Sequence, residues 1–148
     1  MKISIGSDHG GYQLKTEIKN HLLAQGHQVV DFGTNSNDSC DYPDFAYAAA
    51  TALSKGEVDF GVVVCTTGMG VSMVANKVKG VRCALCHNEN CAEMTRRHND
   101  ANMIAFGQKY VSTEVALKAV DIFLSTAFEK ENERHVRRVN KIVEVENK

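Results

Sequence analysis

The chain has 148 residues, of which 43% are hydrophobic and 24% charged, which is the size and composition of one ordinary globular domain. Its 17 Lys and Arg nearly balance its 18 Asp and Glu, and a net charge of −1 gives no field that attracts nucleic acid or an anionic membrane. The sequence has no apolar run near the roughly 20 residues of a membrane-spanning helix and no signal-peptide pattern, so we expect a cytoplasmic protein.

Short apolar strands alternate with segments of helical periodicity along the chain. In chain order the pattern predicts strand Ile3–Gly6, helix Tyr12–Gln25, strand Gln28–Phe32, a helix from Pro43 to about Leu53, strand Phe60–Cys65, a helix after Gly70 to about Val78, strand Val81–Cys86, helix Glu89–Arg97, strand Met103–Phe106, a helix from Ser112 or Thr113 to about Ala127, and a last helix over about Glu133–Val145. The repeated strand–helix unit favours one domain, residues 1–148, with an open parallel α/β sheet of five strands covered by helices on both faces.

Individual residues support these boundaries. Three consecutive valines at 62–64 are typical of a strand that is buried on both faces. Pro43, the only proline, suits the first turn of a helix because its missing N–H would have no partner there. Ser112 or Thr113 can cap the helix that follows, and the polar segment 33–41 has the composition of a turn.

The loop after the third strand carries the most informative motif, Cys65-Thr66-Thr67-Gly68-Met69-Gly70. Ligands of parallel sheets bind beyond the carboxyl ends of the strands. The two glycines let backbone N–H groups approach an oxyanion or phosphate, and a following helix adds positive potential. Cys65 is either a thiolate base or nucleophile near a helix N-terminus or a small buried hydrophobic residue, and the spacing alone supports both interpretations equally.

Two further loops hold candidate acid–base and binding residues. Asp8 and His9 follow the first strand, where they either bind a ligand or simply cap the next helix. His98 and Asn99 precede the fifth strand, and His98 is a candidate acid–base catalyst. The alternative for this pair is a solvated helix terminus, where both residue types are common.

A basic cluster lies in the predicted C-terminal helix, about 133–145. Arg134 and Arg138 are four residues apart, so they share one helix face, and two guanidinium groups there suit a phosphate or carboxylate. The alternative is an exposed face paired with Glu131 and Glu133. Nucleic acid is a poorer interpretation because the cluster is short and lacks interleaved aromatic residues.

The segment Cys83-Ala84-Leu85-Cys86-His87 spells a c-type haem attachment motif, with Cys91 nearby. Haem attachment of this kind accompanies export, for which the sequence shows no signal. The cysteines also fall on a predicted strand, where alternate side chains face opposite sides and do not converge. We therefore predict core or near-core thiols, and the odd total of five cysteines argues against a disulfide framework.

Several motifs in a fixed order resemble those of the type B ribose-5-phosphate isomerases, within the ribose/galactose isomerase superfamily. The resemblance runs from Ile3 to about Ile142. The matching segments are Gly6-Ser7-Asp8-His9-Gly10-Gly11, Asp41-Tyr42-Pro43, Cys65-Thr66-Thr67-Gly68-Met69-Gly70, Ala75-Asn76-Lys77, Arg96-Arg97-His98-Asn99-Asp100-Ala101-Asn102, Ala105-Phe106-Gly107, and Arg134-His135 with Arg138. The family has a Rossmann-like α/β/α fold of three layers.

The resemblance implies an aldose–ketose isomerase of pentose phosphate metabolism that interconverts D-ribose 5-phosphate and D-ribulose 5-phosphate without metal or organic cofactor. It implies Cys65 as the base acting between C1 and C2, Thr67 as a proton shuttle and His98 as the ring-opening catalyst. The substrate-binding residues that it implies are Asp8, His9, Tyr42, Thr66, Gly68, Met69, Gly70, Asn99, Lys109, Arg134 and Arg138. It also implies a homodimer, or a dimer of dimers, with each active site shared across an interface.

The sequence departs from the family pattern in three places. Thr66 replaces the usual glycine after the cysteine, Lys109 replaces a common arginine, and 130–133 replaces a shorter Gly-Gly turn. A β-branched residue restricts the loop backbone, and a lysine supplies a point charge where arginine supplies a fork. These changes affect loop geometry or substrate choice, but none removes a catalytic group.

Three alternatives stay open from the sequence. The first is an isomerase of a six-carbon sugar phosphate, such as allose or galactose 6-phosphate, on the same scaffold. The second is a non-catalytic sugar-phosphate or nucleotide-binding module, which would not need Cys65 and His98 together. The third is a redox or metal protein built on Cys83, Cys86 and Cys91.

Overall fold

The computed structural model describes all 148 residues, which form five strands and six α-helices. The strands are β1 (Lys2–Ser7), β2 (Gln28–Asp31), β3 (Phe60–Cys65), β4 (Cys83–Leu85) and β5 (Met103–Gly107). The helices are α1 (Tyr12–Ala24), α2 (Tyr42–Ser54), α3 (Met69–Ala75), α4 (Glu89–Asn99), α5 (Thr113–Ser125) and α6 (Glu133–Glu146). A short 3₁₀ turn over His9–Gly11 joins β1 to α1.

The five strands form one parallel sheet in the order β2-β1-β3-β5-β4, as the strand–helix pattern predicts. The chain leaves β1 to one side for β2 and then crosses to the other side for β3, so the topology reverses between β1 and β3. A crevice forms at such a reversal, outside the carboxyl ends of the two strands. Cys65 lies at this edge of the sheet, in register with Gly107 of β5.

A hydrophobic core lies on each face of the sheet, which confirms the predicted three-layer arrangement. Val62 and Val64 face the core that helices α1, α4 and α5 cover, whereas Val63 and Cys65 face the core formed with α2 and α3. Because strand side chains alternate between faces, both sets must be apolar, and this explains the unbroken valine run. The same alternation places the Cys65 thiol on the α2–α3 side.

Two elements depart most from the predicted bounds, whereas α1, β2 and α5 each end one or two residues early. Helix α3 ends at Ala75 rather than near Val78, and β4 spans three residues instead of Val81–Cys86. The Asn76 side chain explains both limits: its amide nitrogen donates to Ser72 O and to Cys83 O, and its oxygen accepts from Cys83 N. These bonds close the helix and hold the start of β4, which pairs only with β5 as an edge strand.

A buried ion pair fastens α1 to the edge strand β2. Lys15 is 1% exposed, and its ammonium donates to both carboxylate oxygens of Asp31, at 2.9 and 3.1 Å, and to the Thr34 carbonyl. Lys19 adds a second ammonium at 3.1 Å. Burial alone would raise the pKa of Asp31, but hydrogen bonds from Lys15, the Gly33 N–H and Lys19 hold it below its usual value.

Helix α6 packs against α4 and is mostly exposed. Val139 is its only buried residue, while Ile142, Val143 and Val145 remain open to solvent. The helix bounds agree with the prediction of about 133–145 to within one residue. No helix of the protein combines the length and the apolarity that crossing a membrane requires.

Candidate active site

The Cys65 thiol is held at the carboxyl end of the central strand by the loop that follows it. The residue is 5% exposed, and its Sγ accepts a hydrogen bond from the Gly68 N–H at 3.1 Å. Cys65 faces the core and also lies at the start of the loop. Its position is therefore compatible with both interpretations of the sequence, a small buried hydrophobic residue and a reactive thiol.

The loop leaves several backbone donors without partners. The N–H groups of Thr66, Thr67 and Gly70 donate to no acceptor within the protein. Gly68 has φ of +78°, and a Cβ there would lie 2.7 Å from Gly107 N, so only glycine fits this turn. Free N–H groups beside a thiol can donate hydrogen bonds to an oxyanion that forms next to the base.

The loop after β1 packs directly against the cysteine loop. A side chain at Gly10 would overlap Thr66 Oγ1, so the glycine makes room for the threonine that departs from the family pattern. Asp8 is buried and caps the short 3₁₀ turn, its Oδ1 accepting from the Gly11 N–H at 3.1 Å, while its Oδ2 makes no hydrogen bond within the chain, so capping does not prevent contact with a ligand. His9 Nδ1 accepts from the Cys40 N–H at 3.2 Å, so its Nε2 stays available for a ligand.

Two more predicted site residues reach the same edge of the sheet. A side chain at Gly70 would overlap the Tyr42 ring, so Tyr42, at the start of α2, lies against the start of α3. Lys109 follows β5, and its N–H donates to Thr66 O at 3.0 Å. The predicted residues that the fold brings together here are Asp8, His9, Tyr42, Cys65, Thr66, Thr67, Gly68, Met69, Gly70 and Lys109.

His98 and Asn99 lie elsewhere in the chain. They end α4, four residues before β5 begins at Met103, whose register partner Gly61 is near the start of β3. Because the strands are parallel, this is the amino edge of the sheet, opposite the edge that holds Cys65. One protomer therefore does not unite Cys65 with His98.

Glu129, which no sequence motif marks, organises the surroundings of His98. Glu129 Oε2 accepts hydrogen bonds from Arg97, while its Oε1 lies 4.0 Å from His98 Nε2 and 3.3 Å from His135 Nε2. The two imidazole rings stack with centroids 4.4 Å apart. The hydrogen bond from Arg97 lowers the pKa of Glu129. No spacing rule links 129 to 98, so only the folded chain shows this group.

The basic residues of α6 are exposed and unpaired. Neither Arg134 nor Arg138 has a carboxylate within 4.0 Å, so the alternative that they pair with Glu131 and Glu133 is wrong. The lengthened segment 130–133 includes Asn132, whose side chain accepts from Arg134 N and begins the helix. Both guanidinium groups are free to bind an anion.

The cysteines of the haem-like motif are separated by the sheet. Cys83 packs toward the α2–α3 core and Cys86 lies in the opposite core, as the alternation along the strand predicts. Burial raises the pKa of Cys86 to about 12 and raises that of Cys83 as well. Both remain protonated thiols at neutral pH, in keeping with the predicted core role.

The fold and the cysteine loop together define an isomerase of the ribose/galactose type. The family described as Ribose/Galactose Isomerase matches residues 3–142, and the chain belongs to this family. Within this family the chain is grouped with the type B ribose-5-phosphate isomerases, so it is an isomerase.

The similarity to known relatives, in sequence and in structure, extends over nearly the whole chain. Ribose-5-phosphate isomerase B of Escherichia coli is 43% identical over 145 residues, covering 98% of this chain and 96% of the relative. The Clostridium thermocellum ribose-5-phosphate isomerase B structure superposes with a TM-score of 0.96 at 51% identity, covering 99% of this chain and 98% of that one. The Mycoplasma genitalium enzyme, solved with bound ribulose-5-phosphate, gives 0.93 at 42% identity, covering 99% and 97%.

Proposed function

We propose that this protein interconverts D-ribose 5-phosphate and D-ribulose 5-phosphate. The observation that carries the proposal is the Cys65 thiol, placed at the switch point of the sheet beside the free N–H groups of Thr66, Thr67 and Gly70. The bound product in the Mycoplasma genitalium relative supports the same substrate class. A module that only binds sugar phosphates would not need a base at this position.

The chemistry requires one proton to move between two neighbouring carbons. Cys65 as thiolate removes the proton from C2 of the open-chain aldose, and the electron pair forms an enediolate with C1. The resulting thiol then returns a proton to C1, which gives the ketose. Thr67 carries the proton between the O1 and O2 oxygens.

Negative charge develops on the sugar oxygens during this transfer. The unpaired N–H groups of the loop lie where they can stabilise that charge without reorganising, and Asn99 adds an amide donor. Asp8 and Tyr42 contact the sugar hydroxyls. Binding of the non-reacting phosphate supplies the energy that positions C1 and C2 against the sulfur.

We infer that a second copy of the chain completes each site. His98, which opens the furanose ring, and Asn99 lie at the edge of the sheet opposite Cys65, so a partner must supply them. His9 and Lys109 at the cysteine edge hold the phosphate with Arg134 and Arg138, whose side chains are exposed and unpaired. The assembly that follows is a homodimer or a dimer of dimers.

Substrate preference tests the proposed function directly. We expect turnover of ribose 5-phosphate in the presence of a chelator. Its kcat/KM should be at least about tenfold above that for allose 6-phosphate or galactose 6-phosphate, because a pocket that fits one substrate discriminates against one extra carbon by about that factor. Conversion to ribulose 5-phosphate, followed by NMR, is the measurement. Preference for a hexose phosphate would favour the six-carbon alternative, and no turnover of any of these sugars would favour the binding module.

The turn at Gly68 gives a second prediction. Gly68→Ala forces a Cβ against the Gly107 N–H and strains a backbone with φ of +78°, so the free amides move relative to Cys65. We expect kcat to fall about 10–100-fold. Gly80→Ala is the matched control, since Gly80 has φ of +83° with no atom near its missing Cβ. Equal activities of the two variants would show that the loop geometry is not used.

A further inference from the structure

Outside the cysteine loop, three side chains from three different segments of the chain lie close together. His98 ends α4, Glu129 lies in the connection to α6, and His135 is in the first turns of α6. We call them the His98–Glu129–His135 cluster. Their ligand atoms all lie within 4.8 Å of one another, and each residue is only partly exposed. Two imidazole nitrogens and one carboxylate oxygen are the donors that zinc-like ions prefer.

The carboxylate donor of the cluster is already oriented toward both histidines. The two imidazole rings stack nearly in parallel, at 16°, and both present Nε2 to the same Glu129 oxygen. Arg97 binds the other oxygen, Oε2, at 2.6 and 2.7 Å, and so turns Oε1 toward the histidines. Carboxylate ligands of metals are commonly fixed in this way by an outer hydrogen bond.

The distances between the three donor atoms lie near those of a zinc site. Donor atoms of a tetrahedral zinc site are about 3.3 Å apart. Glu129 Oε1 is already 3.3 Å from His135 Nε2, and it is 4.0 Å from His98 Nε2. The two histidine nitrogens lie within 4.8 Å of each other, so rotation of the imidazole rings would complete the set, and three protein ligands leave a fourth position open for water.

We propose that the His98–Glu129–His135 cluster is a reversible binding site for a divalent ion of the zinc class. The isomerisation does not use this ion. Occupancy takes the Nε2 lone pair of His98, so the ion inhibits opening of the furanose ring. The binding stands on the geometry alone, whereas the inhibition rests on the proposed function.

Cobalt(II) is the probe, because its visible spectrum distinguishes nitrogen and oxygen ligands from thiolates. Chelator-treated protein is titrated with Co²⁺, and Zn²⁺ is then added to displace it. We expect one equivalent bound without a thiolate charge-transfer band. His135→Gln and Glu129→Gln should weaken binding by at least about tenfold. His27→Gln, which replaces a histidine away from the cluster, should not.

Activity in the presence of Zn²⁺ is measured relative to the zinc-free rate of each protein. We expect chelator-reversible inhibition that His135→Gln shifts to at least about tenfold higher zinc. Absence of saturable binding, binding unchanged in both cluster variants, or a thiolate band would overturn the site. Saturable binding without inhibition would support the site and contradict the assigned role of His98, so the two failures are distinguishable.

Discussion

Cys65→Ala is expected to lower kcat for ribose 5-phosphate by about 10²–10⁴-fold, the usual contribution of a positioned general base. The alanine keeps the small apolar volume at the end of β3, where Cys65 is 5% exposed, but it removes the acceptor of the Gly68 N–H. No other thiol lies in the loop to replace it. Binding of the phosphate should persist, so KM should change less than kcat.

Cys86→Ala is the matched control for this variant. Cys86 is also buried, at 1% exposure, but it lies in the core on the other face of the sheet, away from the loop. We expect it to keep native kcat with a modest loss of stability. Full activity of Cys65→Ala, or an equal loss in both variants, would contradict the assignment of the base.

Asp31→Asn is expected to reduce the free energy of unfolding by about 3–5 kcal/mol, because it leaves the buried ammonium of Lys15 without a counter-charge. Lys15 is 1% exposed and has only Asp31 and the Thr34 carbonyl as acceptors. Urea unfolding of both proteins is the measurement. Asp121→Asn removes a half-exposed partner of His21 instead and should cost about 1 kcal/mol or less. Equal losses would show that burial of Lys15 is not decisive.

The Lys15–Asp31 ion pair also determines how the stability of the protein depends on pH. The pKa of Asp31 is lowered in the folded protein, so its contribution is complete above the ordinary carboxyl range and is lost as pH falls through the lowered value. The native protein should therefore lose stability on acidification more steeply than Asp31→Asn. If Asp31→Asn lost stability on acidification as steeply as the native protein, this role of the ion pair would be contradicted.

The sequence predicted those features that local patterns encode. The valine run located β3 with its ends correct, and Ser112 caps α5 by accepting from the Val115 N–H, because one side chain suffices to begin a helix. The loop from 65 to 70 was found for the same reason, since its chemistry lies in consecutive residues. The parallel sheet followed from the repeated strand–helix unit.

Features that depend on distant contacts were not predictable. Bonds from the Asn76 side chain shorten α3 and β4, although nothing near 76 marks this in the sequence. Glu129 faces His98 and His135 only because α6 folds back on α4. Exposure of Arg134 without a carboxylate partner likewise depends on how α6 packs against α4.

The separation of Cys65 from His98 makes subunit complementation the most direct test of the account. Cys65→Ala and His98→Asn are prepared separately, mixed in equal amounts, unfolded in urea and refolded together. Random pairing makes half of the dimers mixed, and each mixed dimer has one intact site of two, so we predict about a quarter of native activity. Activity that merely equals the average of the two parents would contradict a site shared between copies.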